Sequence, residues 1–303
     1  MEDRSINNQT EITAGEIRYG KVKGWFFTLM RLYGTYAKLD LLWFLRDTKY
    51  CLLYMVTDVI CALAAMAGVL LLSVQFGGFG GMSRNEILFM LSYGIFVDGI
   101  FNLFFTGENM GNISRVIGRG QLDHWMIQPV PVWIQMATCG FCPFSGSSKL
   151  VCGIIMTVYS LHGLPVAVTP WWVFSFLAGT AASTAVILAF VYIVSCLAFV
   201  SPAAAEEIAP TAHSPFDMLK SYPLGGLSAF WKTCFCTVAP VGLAAWLPSL
   251  SLLEKAPGMF GPLPVLTIVM AAVYMAAAGM LFKKGMNYYG KYGCPRYSGF
   301  GHR

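Results

Sequence analysis

Charge is what this chain has least of. Only 12% of its 303 residues are Asp, Glu, Lys or Arg, about half the ~25% of an ordinary soluble domain. With 56% hydrophobic residues and a mean hydropathy of +0.61, that shortage excludes a water-soluble protein. An apolar core near the start is missing too. "MEDRSINNQTEITAGEIRYG" is polar and mixed in charge, so no cleaved signal sequence is expected. No G-x-x-x-x-G-K-[ST] occurs; "GFCPFSGSSK" has the wrong spacing and lies in an apolar run. The chain therefore has no phosphate-cradling loop of that kind. Histidine is scarce: His124, His162, His213 and His302 fall in separate connections without an i, i+4 partner. No metal site and no cofactor of its own are expected. Internal repeats and low-complexity tracts are absent, and nothing points to nucleic acid.

Apolar runs are what the chain has in plenty. Several reach the ~20 residues that cross a ~30 Å hydrocarbon layer. Six spans are expected, near 51–75, 86–110, 133–160, 171–200, 227–248 and 263–282. The fold class is all-α, a polytopic membrane protein. "FGGFGG" after the first span is a turn, and Pro143 marks a kink in the third, since it deletes a helical hydrogen bond. Around the six-helix domain at 51–283 stand a polar N-terminal tail, 1–23, an amphipathic segment, 24–50, and a basic tail, 284–303. The segment 24–50 interleaves aromatics with Arg31, Lys38, Asp40, Arg46 and Asp47. Too charged to span, it fits a helix in the headgroup layer, in contact with membrane lipids.

Lysine and arginine orient the spans. Eight lie within 1–50 and five in the tail, as Lys283, Lys284, Lys291, Arg296 and Arg303. Arg115 and Arg119 follow the second span, Lys220 and Lys232 the fourth. The opposite side has only Arg84 and Lys255, while Lys149 lies inside a span. The positive-inside rule places both termini in the cytoplasm of a cell-membrane protein, inner or plasma membrane.

The nine cysteines are odd in number and mostly sit inside apolar runs, which argues against a disulfide framework. "CGFC", Cys139 to Cys142, has the spacing of a redox pair without the strand-and-helix setting that lowers a thiol pKa. A small hydrophobe is the favoured reading. Asp58, Asp98 and Lys149 lie within spans, where a mid-bilayer charge costs about 2.5–3.5 kcal/mol on insertion scales. They form either interhelical ion pairs or a polar path for substrate or protons. Glu108, Asn109 and Asn112 close the second span and meet water or a partner. The proline-rich connection 201–223 reads as a surface loop or a second partner contact around Phe216 to Leu219. The connection 248–264 fits a short re-entrant gate.

"GRGQLDHWMIQP", residues 118–129, carries an arginine, an aspartate and a histidine between two apolar spans. Read as a helix, it groups Leu122, Trp125 and Met126 on one face, while Gln121, Asp123 and His124 lie elsewhere. Arg119 and Asp123 are spaced to pair, and Pro129 and Pro131 end the helix. Two turns are marginal alone, so something docks against them: neighbouring helices and bilayer, or another protein.

At this stretch the chain resembles a known family. "VIGRGQLDHWMIQPVPVWIQ" looks like the signature after the second span of type-2 ATP-binding cassette (ABC) exporter permeases, with Gly120, Leu122, Asp123 and Pro129 on the pattern and Gln121 where an acid is usual. "SYPLGGLSAFWKTCFCTVAPVGLAAWLP" and "KKGMNYYGKYG" agree with the same subfamily. The resemblance implies a permease subunit of an ATP-driven exporter that does no chemistry itself. It further implies a second permease, identical or homologous, and two ATPase subunits that hold the ATP and Mg. Residues 118–129 would be the coupling helix, with Arg119, Gln121, Leu122, Asp123, Trp125 and Met126 at the ATPase contact. The alternative from another class is a proton-coupled secondary transporter using Asp58, Asp98 and Lys149. A membrane thiol oxidoreductase is a third.

Overall fold

The computed structural model describes residues 3–78, 80–105, 113–201, 208, 211–212, 215–255 and 262–293, with backbone only at 3–23 and 115. Glu108, Asn109, Asn112, His213 and the tail beyond 293 lie outside the described residues. Everything regular is helical, and no strand occurs among the described residues. α1 runs Asp3–Arg46, taking in the segment expected as a polar tail and most of the amphipathic one. Four helices are long and apolar enough to span: α2 (Thr48–Gln75), α3 (Arg84–Phe105), α8 (Pro170–Ser195, extended by a 3-10 turn to Phe199) and α12 (Val265–Tyr292).

The third and fifth expected spans are broken. In place of one helix over 133–160 there are α6 (Val132–Thr138) and α7 (Ser148–Leu161), separated by turns. Pro143 accompanies a break, not a kink. Asp40 of α1 holds that break: one carboxylate oxygen accepts from the Phe144 and Ser145 backbone N–H at 2.7 and 3.2 Å, the other from Ser145 Oγ at 2.5 Å. N–H groups freed from a helix need such partners when buried. In place of 227–248 come α9 (Ala229–Thr237), α10 (Val241–Ala244) and α11 (Trp246–Leu252). Pro240 lies between the first two and Pro248 within the third, and neither can donate a ladder bond. Two further short helices, α4 (Ile113–Gly118) and α5 (Gln121–Met126), precede α6.

Local signals start α8 and shape the turn into α3. Thr169 caps α8 by accepting from Trp172 N–H at 3.1 Å, with Pro170 at the first helical position. The turn from α2 to α3 holds Gly80 at φ 62°. A Cβ on Gly225 would lie 1.8 Å from the Gly80 carbonyl oxygen, so this turn and the 224–226 segment touch backbone to backbone.

Packing fixes directions. α3 and α7 run antiparallel and almost in backbone contact: a Cβ on Gly99 would meet Leu150 Cα at 2.3 Å, and one on Gly153 would meet Phe96 Cα at 2.6 Å. Small residues commonly allow such close helix pairs in lipid. α8 and α12 run parallel, with Tyr192 against Phe282 and Phe199 against Phe282 and Tyr289. The main core surrounds α3, where Ile87, Phe89, Met90 and Tyr93 are fully buried. Tyr93 Oη and Ser183 Oγ share a hydrogen bond at 3.1 Å, and Ser183 also donates to the Leu243 carbonyl, tying the broken fifth segment to α8.

Candidate functional site

Two regions concentrate the singled-out residues: the α4–α5–α6 turn and a layer of half-buried charge within the bundle. In the first, α5 occupies Gln121–Met126 inside the stretch that the sequence marks out. Gly120, left-handed at φ 72°, reverses the chain out of α4. Leu122 is completely buried against Ile113, Ile117, Met136 and Phe199. It belongs to the protein's own core, and Trp125 is half-buried against the same cluster. Met126 and Ile127 point out, 46% and 79% exposed. The apolar face drawn from spacing is thus divided between inside and outside. Gln121, Asp123, His124 and Arg119 are exposed.

Gln135 was not singled out by the sequence, yet it positions α5. From α6 its side-chain amide donates to the Trp125 carbonyl at 2.9 Å and to the Val130 carbonyl at 2.7 Å. Both carbonyls belong to the end of α5 and the proline turn, whose acceptors no helix ladder satisfies. α1 reaches the same place. Trp25 stacks on Trp133 at 6.5 Å, and Tyr33 Oη donates to the Ala137 carbonyl at 3.0 Å. Burial, and then the neighbouring Cys139, push the Tyr33 phenol above its ordinary pKa, so it remains a donor.

The charge layer brings together all three in-span charges. Lys149 of α7 pairs with Asp58 of α2 at 2.7 Å, and Ser148 Oγ donates to the other oxygen of Asp58 at 2.9 Å. Asp98 of α3 pairs with Lys220 at 2.5 Å, and Lys220 also bonds Asp217 at 2.7 Å. Lys220, counted from the sequence among surface charges, is buried. Phe216, one turn earlier, is buried too and stacks on Phe190 at 4.8 Å, which removes it from any partner surface. A buried lysine shared by two carboxylates makes the 215–220 segment an inserted plug. The only sequence signal for it was "FDMLK", an acid three residues before a lysine with apolar neighbours.

Cys139 and Cys142 are not joined in a disulfide, nor is any of the eight described cysteines. Cys142 Sγ donates to the Asn102 carbonyl at 3.4 Å. Among the described residues no group of His, Cys, Asp and Glu is placed to hold a metal.

Long apolar helices around a glycine-tight pair, with salt bridges closed inside the bundle, define a polytopic membrane protein. Residues 59–293 match the family described as ABC-2 family transporter protein, and the chain belongs to that family. Its place is therefore that of an ABC permease, a transporter's membrane subunit and not a catalytic enzyme, in a family that works with ABC ATPases. No curated protein and no solved structure matches the chain.

Proposed function

We infer that the protein is the permease of an ATP-driven exporter, and that α5 with its flanks, 118–129, is where a separate ATPase pushes on it. The observation that carries this reading is the mounting of α5. Leu122 roots it in the core, Gln135 fixes its end, and Met126 and Ile127 remain outside as apolar anchors. Exposed apolar groups on a rigidly held short helix are what a protein partner's pocket takes up. Arg119, Gln121, Asp123 and the half-buried Trp125 rim the contact. ATP and Mg reside on that partner, two copies of it serving two permeases, identical or homologous.

The packing directions support six crossings. Since α8 and α12 are parallel, the chain between them must return along the bundle. The stretch through Lys220 to 224–226 supports that fifth crossing: it passes Asp98 and ends against the α2–α3 turn. Leu252 and Lys255 also lie there, so α9–α10–α11 dips into the bundle and returns to the same end. α6 and α7 together make the third. Both termini and α5 then lie on the cytoplasmic side of the cell membrane, where the basic residues collect. The proton-coupled reading has less support, because Asp58 and Asp98 are both tied to lysines.

The test is purification in mild detergent with candidate ATPases co-expressed, beside a Met126→Arg/Ile127→Arg variant. Recovery of a P-loop ATPase with the wild type and its loss from the still-folded variant is the expected outcome. A permease that recruits no ATPase, or a variant that retains it fully, sinks the assignment of 118–129.

A further inference from the structure

The charge layer borders a cavity of about 200 Å³ whose remaining wall includes Met66, Met90, Leu91 and Ile95. Hydrogen-bonding capacity is left over on that wall. Asp98 engages Lys220 through Oδ1, and among the described residues no hydrogen bond reaches its Oδ2. Lys149 uses one of its three donors on Asp58. Asp98 and Lys149 stand on α3 and α7 where the two helices nearly touch, at Gly99 and Leu150. The cavity therefore offers one charged acceptor and one charged donor beside an apolar chamber.

A lone ammonium would meet Asp98 but also Lys149 and Lys220. A lone carboxylate would meet Lys149 but also Asp98 and Asp217. A molecule carrying both groups satisfies both sides, and a site built to bond two groups disfavours an analogue that lacks one. The volume equals about seven waters' share of liquid, enough for a ring or branched alkyl body and too little for a lipid. We propose that this cavity is a subsite for a small zwitterion with an apolar body, of the size and chemistry of an apolar α-amino acid. The proposal deepens the permease reading and rests on it, since the occupant would be cargo.

The experiment is equilibrium dialysis of tritiated L-phenylalanine against the purified permease in nanodiscs with no ATPase present. The competitors are 2-phenylethylamine and 3-phenylpropanoate. Saturable binding is expected, with each competitor at least ~10-fold weaker than unlabelled phenylalanine. Ala62→Phe fills the chamber from α2 while leaving every charged group in place. It should abolish binding without lowering the melting temperature. Lys149→Met should bring the zwitterion down to the affinity of the amine. No saturable binding, equal affinity for amine and zwitterion, or full binding by Ala62→Phe each overturns the proposal. Loss of ATPase recruitment with intact binding would strike the coupling assignment and leave this one standing.

Discussion

The α4–α5–α6 turn and the buried charge layer use polar residues in opposite ways. At the turn, Asp123, His124 and Gln121 stay in the open, and the one buried side chain of α5 is Leu122. Within the bundle, Lys149, Lys220, Asp58 and Asp98 are drawn inside and closed onto one another. Exposed charges contribute little to stability, about 0–1 kcal/mol per pair. Buried charges with a partner removed cost several times that. The turn is therefore free to vary its surface for a partner, whereas the layer fixes which helices meet.

Mutation can break that contrast. The largest effect is expected from Lys220→Met, which removes a buried lysine and leaves the half-buried Asp98 without its ion partner. Breaking such a pair destabilises by about 3–5 kcal/mol, read as a clear fall in melting temperature in detergent. Adding Asp98→Asn should restore much of the loss, and a cycle without coupling would show that the pair does not hold the plug. Next comes Gly153→Ala. Its Cβ would press on the Phe96 backbone, and overpacking costs roughly 1–3 kcal/mol. An unchanged melting temperature would mean that α3 and α7 can part at little cost. Gln135→Leu removes two hydrogen bonds from the end of α5, each worth about 1 kcal/mol. Stability should fall modestly while ATPase recruitment falls further, and recruitment at the wild-type level would deny Gln135 its positioning part. Asp123→Ala should leave stability within about 0.5 kcal/mol of the parent, and a larger drop would mean that the turn is not the permissive surface described.

Local pattern accounts for what the sequence revealed. Long apolar runs marked α2, α3, α8 and α12, and a short polar interval with prolines behind it, 118–129, marked the stretch that holds α5 (Gln121–Met126). Hydropathy missed the break at 139–147, because the partner that stabilises it, Asp40, lies 104 residues away from Phe144. The burial of Lys220 was hidden for the same reason, since Asp98 is 122 residues distant. A lysine between spans reads as surface until its counterion is placed. The division of the α5 face was illegible too: spacing puts Leu122 and Met126 on one side, but only the neighbouring helices decide how much of that side is covered.

The break beside Asp40 has a mechanical consequence. An unbroken rod carries a push along its length, but two short rods joined at a pin turn the same push into rotation about the pin. α6 and α7 are such rods, and the carboxylate of Asp40 is the pin, mounted on a helix that is not part of either. If a partner pushes on α5 as proposed, the displacement would pass through Gln135 into α6 and be shared there between α7 and α1. On that proposal the amino-terminal helix would work as a lever arm, and shortening it would change the stroke without touching the handle.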